Sequence, residues 1–233
     1  VVIVLFIWVG ISSALLAPIN HRVAFHVGTI WAKLVCLIAM VRVKVTGREH
    51  IDKNKGYIIM ANHQGSLDIP VIYGYWKGQF RWVMKESLKK VPFLGMASTA
   101  MKHVHINRKD RQQAIAALNA AKPFLETGVS LVFFPEGTRS PDGVLANFKK
   151  GGFMVALDLG LPILPVSISG SYDLLPNRST QLLPGTIRMT IHEPVPTEGL
   201  TVDDRDELMA RVKKTIASGL SPREAGQQSG CDT

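Results

Sequence analysis

Six short apolar runs, at residues 57–61, 80–84, 104–106, 129–134, 163–169 and 186–192, punctuate this chain of 233 residues. Most are bounded by Gly, Pro, Asn or a charged residue, and their lengths suit strands. Between them the pattern changes to helical spacing. Ser66 is placed to cap a helix running to Tyr75. Asp110 is placed to cap another, running to Glu126, in which Ala114, Ile115, Leu118, Ala121 and Leu125 repeat at helical intervals. Pro123 predicts a break within that helix, and Gly128 closes it. Residues 151–159, stopped by Gly160, and residues 203–217 read as further helices. Strands alternating with helices imply an α/β fold, a layered mixed sheet flanked by helices. The length suits one sizeable core, assigned to residues 46–217. No fixed period repeats, which excludes a solenoid or propeller.

The amino-terminal segment has a different character. Residues 1–19 carry no charge, and residues 23–43 form a second apolar run interrupted by His26 and Lys33. A short polar turn, Asn20-His21-Arg22, separates the two. The first run lacks the basic start and the cleavage site of a signal peptide. It begins at Val1 rather than Met, so the natural start is expected upstream. Its length is at the threshold for a spanning helix. Three readings stand: one leg of a membrane hairpin, a helix dipping into one leaflet with Trp8 and Trp31 near the headgroups, or a buried core helix. Length and apolar purity favour an apolar helical pair over residues 1–45 that attaches the protein to a membrane. The polar stretch 46–56 reads as the loop leading into the α/β domain. Residues 218–233 read as a disordered polar tail.

The formal net charge of +9 favours an anionic partner: nucleic acid, an acidic lipid surface or a phosphorylated substrate. No Lys/Arg block interleaved with aromatics and no nucleic-acid motif is present, so no nucleic-acid partner is expected. The two cysteines, Cys36 and Cys231, suggest neither a disulfide framework nor a metal cluster. No His, Asp or Glu group has metal-ligand spacing, and no metal is expected.

Four segments carry chemistry. In Asn62-His63-Gln64-Gly65-Ser66-Leu67-Asp68, a histidine sits where a strand turns into a helix. Histidine titrates near working pH and can serve as a general base. A turn at Gly65 would fold Asp68 onto one ring nitrogen and leave the other facing substrate. The spacing alone says little, because His105 and Asp110 repeat it. That second pair is the built-in control: His105 lies in a strand run, and Asp110 has a competing task as a helix cap. The second segment, Phe134-Pro135-Glu136-Gly137-Thr138-Arg139-Ser140, ends the clearest strand. Gly137 permits close backbone approach, and the planar fork of Arg139 suits phosphate. The third is a scatter of cations, Lys85, Arg108, Arg139, Lys149 and Lys150, each of which alone reads as a surface charge. The fourth, Leu161-Pro162-Ile163-Leu164-Pro165-Val166, marks a strand entry at a groove mouth or a buried strand start.

In this order the segments resemble the glycerolipid acyltransferase family, most of all 1-acyl-sn-glycerol-3-phosphate acyltransferases of bacterial type. The resemblance spans roughly residues 20–217, and the two halves N-H-x-x-x-x-D and F-P-E-G-T-R-S are specific in combination. It implies that His63 takes the proton from the acceptor hydroxyl and that Asp68 orients it. It implies that Glu136, Gly137 and Thr138 shape the acceptor site, with Arg139, Arg108 and Lys85 near the phosphate. The apolar amino-terminal pair matches the family's membrane-docking helices. One block departs from the family: His103-Val104-His105-Ile106-Asn107-Arg108 has histidines in place of a glycine and an aromatic, and Asn107 in place of an acid. The implied reaction is direct attack of a lipid hydroxyl on a thioester, with backbone N–H groups at Gly65 or Gly137 as a candidate oxyanion hole. The expected partners are the bilayer, a lysophospholipid and, as co-substrate, acyl-acyl carrier protein or acyl-coenzyme A. No bound cofactor is expected. The expected location is the cytoplasmic face of the inner membrane.

Overall fold

The computed structural model describes residues 20–107, 110–125, 127–176 and 181–227, together with Ser179 and with Trp8, Ile11, Ser12, Leu15 and Leu16. Arg108, Cys231 and most of the first apolar run lie outside the described residues.

The alternation seen in the sequence folds as strands β1 (Val41–Thr46), β2 (Ile58–Ala61), β3 (Phe80–Lys85), β4 (Val104–Ile106), β5 (Ser130–Phe133), β6 (Ile163–Ser169) and β7 (Gly185–Ile191). They form one sheet in the order β1-β7-β6-β2-β5-β3-β4. Every pairing is parallel except β6 with β7. The sheet is therefore mixed, as the sequence implies.

Helices α1 (His21–Ile38) and α2 (Asp68–Tyr75) cover one face of the sheet. Helices α4 (Arg111–Asn119), α5 (Lys122–Leu125), α6 (Gly151–Leu159) and α8 (Arg205–Ser218) cover the other. The short helices α3 (Leu94–Ala100) and α7 (Ser171–Leu174) lie in the connections after β3 and β6. Side chains alternate across the strands, so Ile59 and Ala61 join the core under α1 and α2. Ile58 and Met60 join the core on the opposite side. Being buried on both faces explains why the central runs are almost wholly apolar. Asn20 caps α1 by accepting from the Arg22 N–H at 2.8 Å, and Asp110 caps α4 by accepting from the Gln113 N–H at 3.0 Å. Gly160 ends α6 with φ at 62°.

Three expectations are corrected. The second apolar run is not helical to its end. It ends as a helix at Ile38, and Val41–Thr46 becomes a strand pairing with β7. The alternation Val-Arg-Val-Lys-Val-Thr there is a strand pattern that the preceding helix obscured. The α/β domain thus begins before residue 46. Ser66 does not cap α2. The helix starts at Asp68, and Ser66 accepts a hydrogen bond from Arg139 instead. The tail is not disordered from residue 218: residues 221–227 form turns against the body of the protein, with Glu224 buried.

Among the described residues, no helix is long and apolar enough to cross a membrane. Helix α1 buries Ala24, Phe25, Val27, Trp31, Ala32 and Cys36, while Val23, Ile30, Leu37 and Ile38 face outward.

Candidate functional site

Ligands of open parallel sheets bind beyond the carboxyl ends of the strands. Here the loops after β2, β5 and β6 converge at that edge. The loop after β2 carries His63, and α2 carries Asp68 in its first turn. His63 Nδ1 lies 2.9 Å from Asp68 Oδ2. The same carboxylate oxygen accepts from the backbone N–H of Gln64 at 2.8 Å and of Gly65 at 2.9 Å. The tight turn thus wraps around Asp68, as the glycine predicts. A Cβ at Gly65 would meet the Ser171 carbonyl oxygen at 2.8 Å, so the turn tolerates no larger side chain without moving its neighbour. Asp68 is fully buried, whereas the His63 side chain retains 12% exposure.

A carboxylate only accepts, so Nδ1 carries the proton in neutral His63 and Nε2 presents a lone pair. The ring stacks on Phe134, with centroids 3.8 Å apart and planes inclined by 11°. Phe134 in turn stacks on Trp82 at 5.2 Å. Sequence reasoning gave Phe134 no role of its own; the register that sets Met60 opposite Phe133 brings the start of the loop after β5 beside the loop that carries His63.

The second motif is stitched to the first. Glu136 accepts from the His63 N–H at 2.6 Å through Oε1 and from the Ala146 N–H at 2.9 Å through Oε2. The Ser140 N–H donates to the His63 carbonyl at 2.8 Å. Burial raises the Glu136 pKa, and these two N–H donors pull it back. Glu136 is 2% exposed, so it shapes the site by fixing two loops to each other. Asn62, fully buried, exchanges two hydrogen bonds with the Ile168 backbone, at 2.8 and 2.7 Å, and so locks the end of β2 to β6. Neither Asn62 nor Glu136 announces this structural task in the sequence.

His63 opens onto a cavity of about 1290 Å³. Trp31, Val35, Leu67, Trp82, Leu94 and Met101 give it apolar walls. Lys85, Arg139, Lys149 and Lys150 also line it, as do Gly137 and Thr138. Four of the five scattered cations therefore meet at one cavity, and the fifth, Arg108, is outside the described residues. Gly137 has φ at 77°, a conformation suited to glycine, and a Cβ there would lie 2.9 Å from Lys149 Cδ.

The altered block contributes a buried polar group. His103 Nδ1 accepts from the Trp82 N–H at 3.2 Å, and Nε2 lies 3.2 Å from the Tyr73 hydroxyl. Burial, with Arg81 nearby, holds His103 well below the ordinary histidine pKa, so the ring is neutral. Arg81 is itself fully buried. Its guanidinium donates to the Phe80 carbonyl and to Gln79 and sits over the Phe25 and Phe124 rings. Burial lowers its pKa to about 10, which leaves it charged at neutral pH. His105 bonds Ser98 Oγ at 3.0 Å. The described residues contain no group of three or more His, Cys, Asp or Glu able to hold a metal ion.

An acyltransferase family model matches residues 42–169, more than half of the chain. The 1-acyl-sn-glycerol-3-phosphate acyltransferase of Chlamydomonas reinhardtii is 32% identical over 209 residues, covering 88% of this chain and 61% of that protein. That of Saccharomyces cerevisiae is 31% identical over 217 residues, covering 91% and 71%. The crystal structure of the 1-acyl-sn-glycerophosphate (LPA) acyltransferase PlsC from Thermotoga maritima matches with a TM-score of 0.72 and 34% identity, covering 85% of this chain and 79% of that one. The chain spans between 50% and 62% of the length of the algal, plant and human relatives. The fold is thus shared with a solved acyltransferase, and this chain belongs to the acyltransferase family.

Proposed function

We propose that the protein transfers a fatty acyl group from a thioester donor, acyl-acyl carrier protein or acyl-coenzyme A, to the sn-2 hydroxyl of 1-acyl-sn-glycerol 3-phosphate, giving phosphatidic acid. The observation that carries this reading is the His63–Asp68 pair opening onto a largely apolar cavity also lined by cations. The relatives' names agree with it.

Each part of the site has a task. Asp68 fixes the His63 tautomer, and Nε2 takes the proton of the acceptor hydroxyl as its oxygen attacks the thioester carbonyl. The carbon–sulfur bond breaks, and the leaving thiolate takes the proton back from the imidazolium. The Gly65 and Gly137 N–H groups, expected as an oxyanion hole, already donate to Asp68 Oδ2 and to the Phe134 carbonyl, so neither is assigned to the oxyanion. Arg139 and Lys85 hold the acceptor phosphate, with Lys149 and Lys150 beside them. The apolar walls receive acyl chain. The outward apolar face of α1, with Arg22 and Lys33 among its side chains, rests on the membrane that supplies the lysolipid. The cytoplasmic face of the inner membrane fits a thioester donor made in the cytoplasm.

The test uses protein purified in mild detergent, given acyl-coenzyme A or acyl-acyl carrier protein, with and without 1-acyl-sn-glycerol 3-phosphate. Mass spectrometry should find phosphatidic acid, with thiol release that needs the lysolipid. Thiol release independent of acceptor would make the protein a thioesterase. Transfer only to glycerol 3-phosphate or to another lysophospholipid would move the acceptor. Lysolipid binding without turnover on either donor would leave a lipid-phosphate binding module.

A further inference from the structure

Glu224 lies in the segment beyond α8, yet it is only 4% exposed. A carboxylate removed from water is costly unless hydrogen bonds replace its hydration. Here four donors do so. Oε1 accepts from the Gly170 N–H at 2.7 Å, and Oε2 accepts from Ser169 Oγ at 2.6 Å, the Ser221 N–H at 3.0 Å and Ser221 Oγ at 2.8 Å. The bonds from Ser221, with the Glu224 N–H donating back to Ser221 Oγ, close the local turn as a capping box does; those from Ser169 and Gly170 tie that turn to the end of β6.

The main-chain carbonyl of Glu224 accepts two further bonds, and each leads to His63. One comes from Gln64 Nε2 at 3.3 Å, and the Gln64 N–H donates to Asp68 Oδ2. The other comes from the Leu145 N–H at 2.7 Å. The next residue, Ala146, donates to Glu136, whose other oxygen holds the His63 N–H. The side chain adds a third route. It fixes the turn at Gly170, and the Ser171 carbonyl just beyond packs against Gly65, whose N–H also donates to Asp68.

We propose that Glu224 is a positioning residue for acyl transfer: the segment 221–227 clamps the loops after β2, β5 and β6 and so sets the orientation of the His63 ring. The proposal rests on the reading of His63 as the base. A misplacement of about 1 Å at a reacting group can cost on the order of 100-fold in rate. Losing the Glu224 side chain, which leaves the main-chain carbonyl present but removes the bonds to Ser169 and Gly170 that hold its segment in place, is expected to act in that way.

Nitrogen NMR of histidine-labelled protein in detergent reads the consequence directly, with His63→Ala assigning the His63 signals. The wild type should show His63 as a single tautomer protonated on Nδ1. Glu224→Ala should show a mixture of tautomers. Its kcat per folded molecule, with folded fraction measured by circular dichroism, should fall by about 10- to 100-fold, while KM for the lysolipid stays near the wild-type value. Glu224→Gln, which can still accept from Gly170, should lie between the two. If Glu224→Ala does not fold, the Gln variant carries the test. A folded variant with wild-type kcat, or with reduced kcat and an unchanged His63 tautomer, would overturn the clamp. An active His63→Ala enzyme, alongside a tautomer that still responds to Glu224, would overturn the reading of His63 as base and leave the mechanical link standing.

Discussion

Two segments of this chain place a histidine five residues before an aspartate, and they end in different structures. At residues 63–68 the chain leaves a central strand, turns at Gly65 and enters a helix, so that Asp68 folds back under the histidine ring. At residues 105–110 the histidine belongs to the edge strand β4, and its ring bonds Ser98. Asp110 caps α4 and donates nothing to that ring's orientation, its Oδ1 being bonded to the Gln113 N–H. Spacing in sequence is the same; what differs is the backbone path between the two residues. A carboxylate can orient an imidazole only where a turn brings them together. An aspartate that has started a helix is already committed to the helix backbone.

The largest expected contrast is between the two histidines. His63→Ala should lower acceptor-dependent turnover by roughly 10³-fold, within the range for loss of a general base. His105→Ala should change it by less than about 3-fold, since its ring lies outside the proposed proton path. The same thiol-release assay reads both.

The aspartates should separate next. Asp68→Asn should cost on the order of 100-fold in kcat, because an amide no longer dictates which ring nitrogen carries the proton. Asp110→Asn should leave turnover unchanged, since asparagine caps a helix about as well as aspartate does. Asp110→Ala should instead lower unfolding stability by about 1 kcal/mol, measured by urea denaturation.

Smaller effects should appear in the pH dependence of stability. Burial raises the Glu136 pKa, so the native state holds that proton to higher pH than the unfolded chain does. Glu136 therefore makes stability fall as pH rises from the ordinary glutamate value through the raised native one. Glu136→Gln should flatten that part of the curve. His103 has the opposite sign. Its native pKa lies well below the ordinary 6.5, so the unfolded chain binds the extra proton first. Stability falls as pH drops below about 6.5, and His103→Asn should blunt that loss. Melting temperatures across pH 4–8 read both; slopes unchanged by either substitution would contradict the assigned causes.

The sequence made the central strands legible because burial on both faces leaves apolar runs with little else in them. It also showed the turn at Gly65, the cap at Asp110 and the break at Pro123. Strand β1 was hidden because its Val-Arg-Val-Lys-Val-Thr alternation follows directly on an apolar helix, so the change of period from helix to strand was absorbed into one run. Glu136 and Asn62 were legible as motif members but not in their task, since bonds to the backbone of distant loops leave no local pattern. Glu224 was missed for the same reason. A short polar segment reads as solvated until the fold supplies the Ser169–Gly170 turn that encloses it.

The most direct test of the central claim is a double-mutant cycle on acceptor-dependent turnover, comparing wild type, His63→Ala, Asp68→Asn and the double variant. If Asp68 acts only by orienting His63, the double variant should be no slower than His63→Ala alone, because the aspartate has nothing left to orient. If Asp68→Asn costs the same factor with and without His63, the two side chains act independently, and the account of a single working pair is wrong.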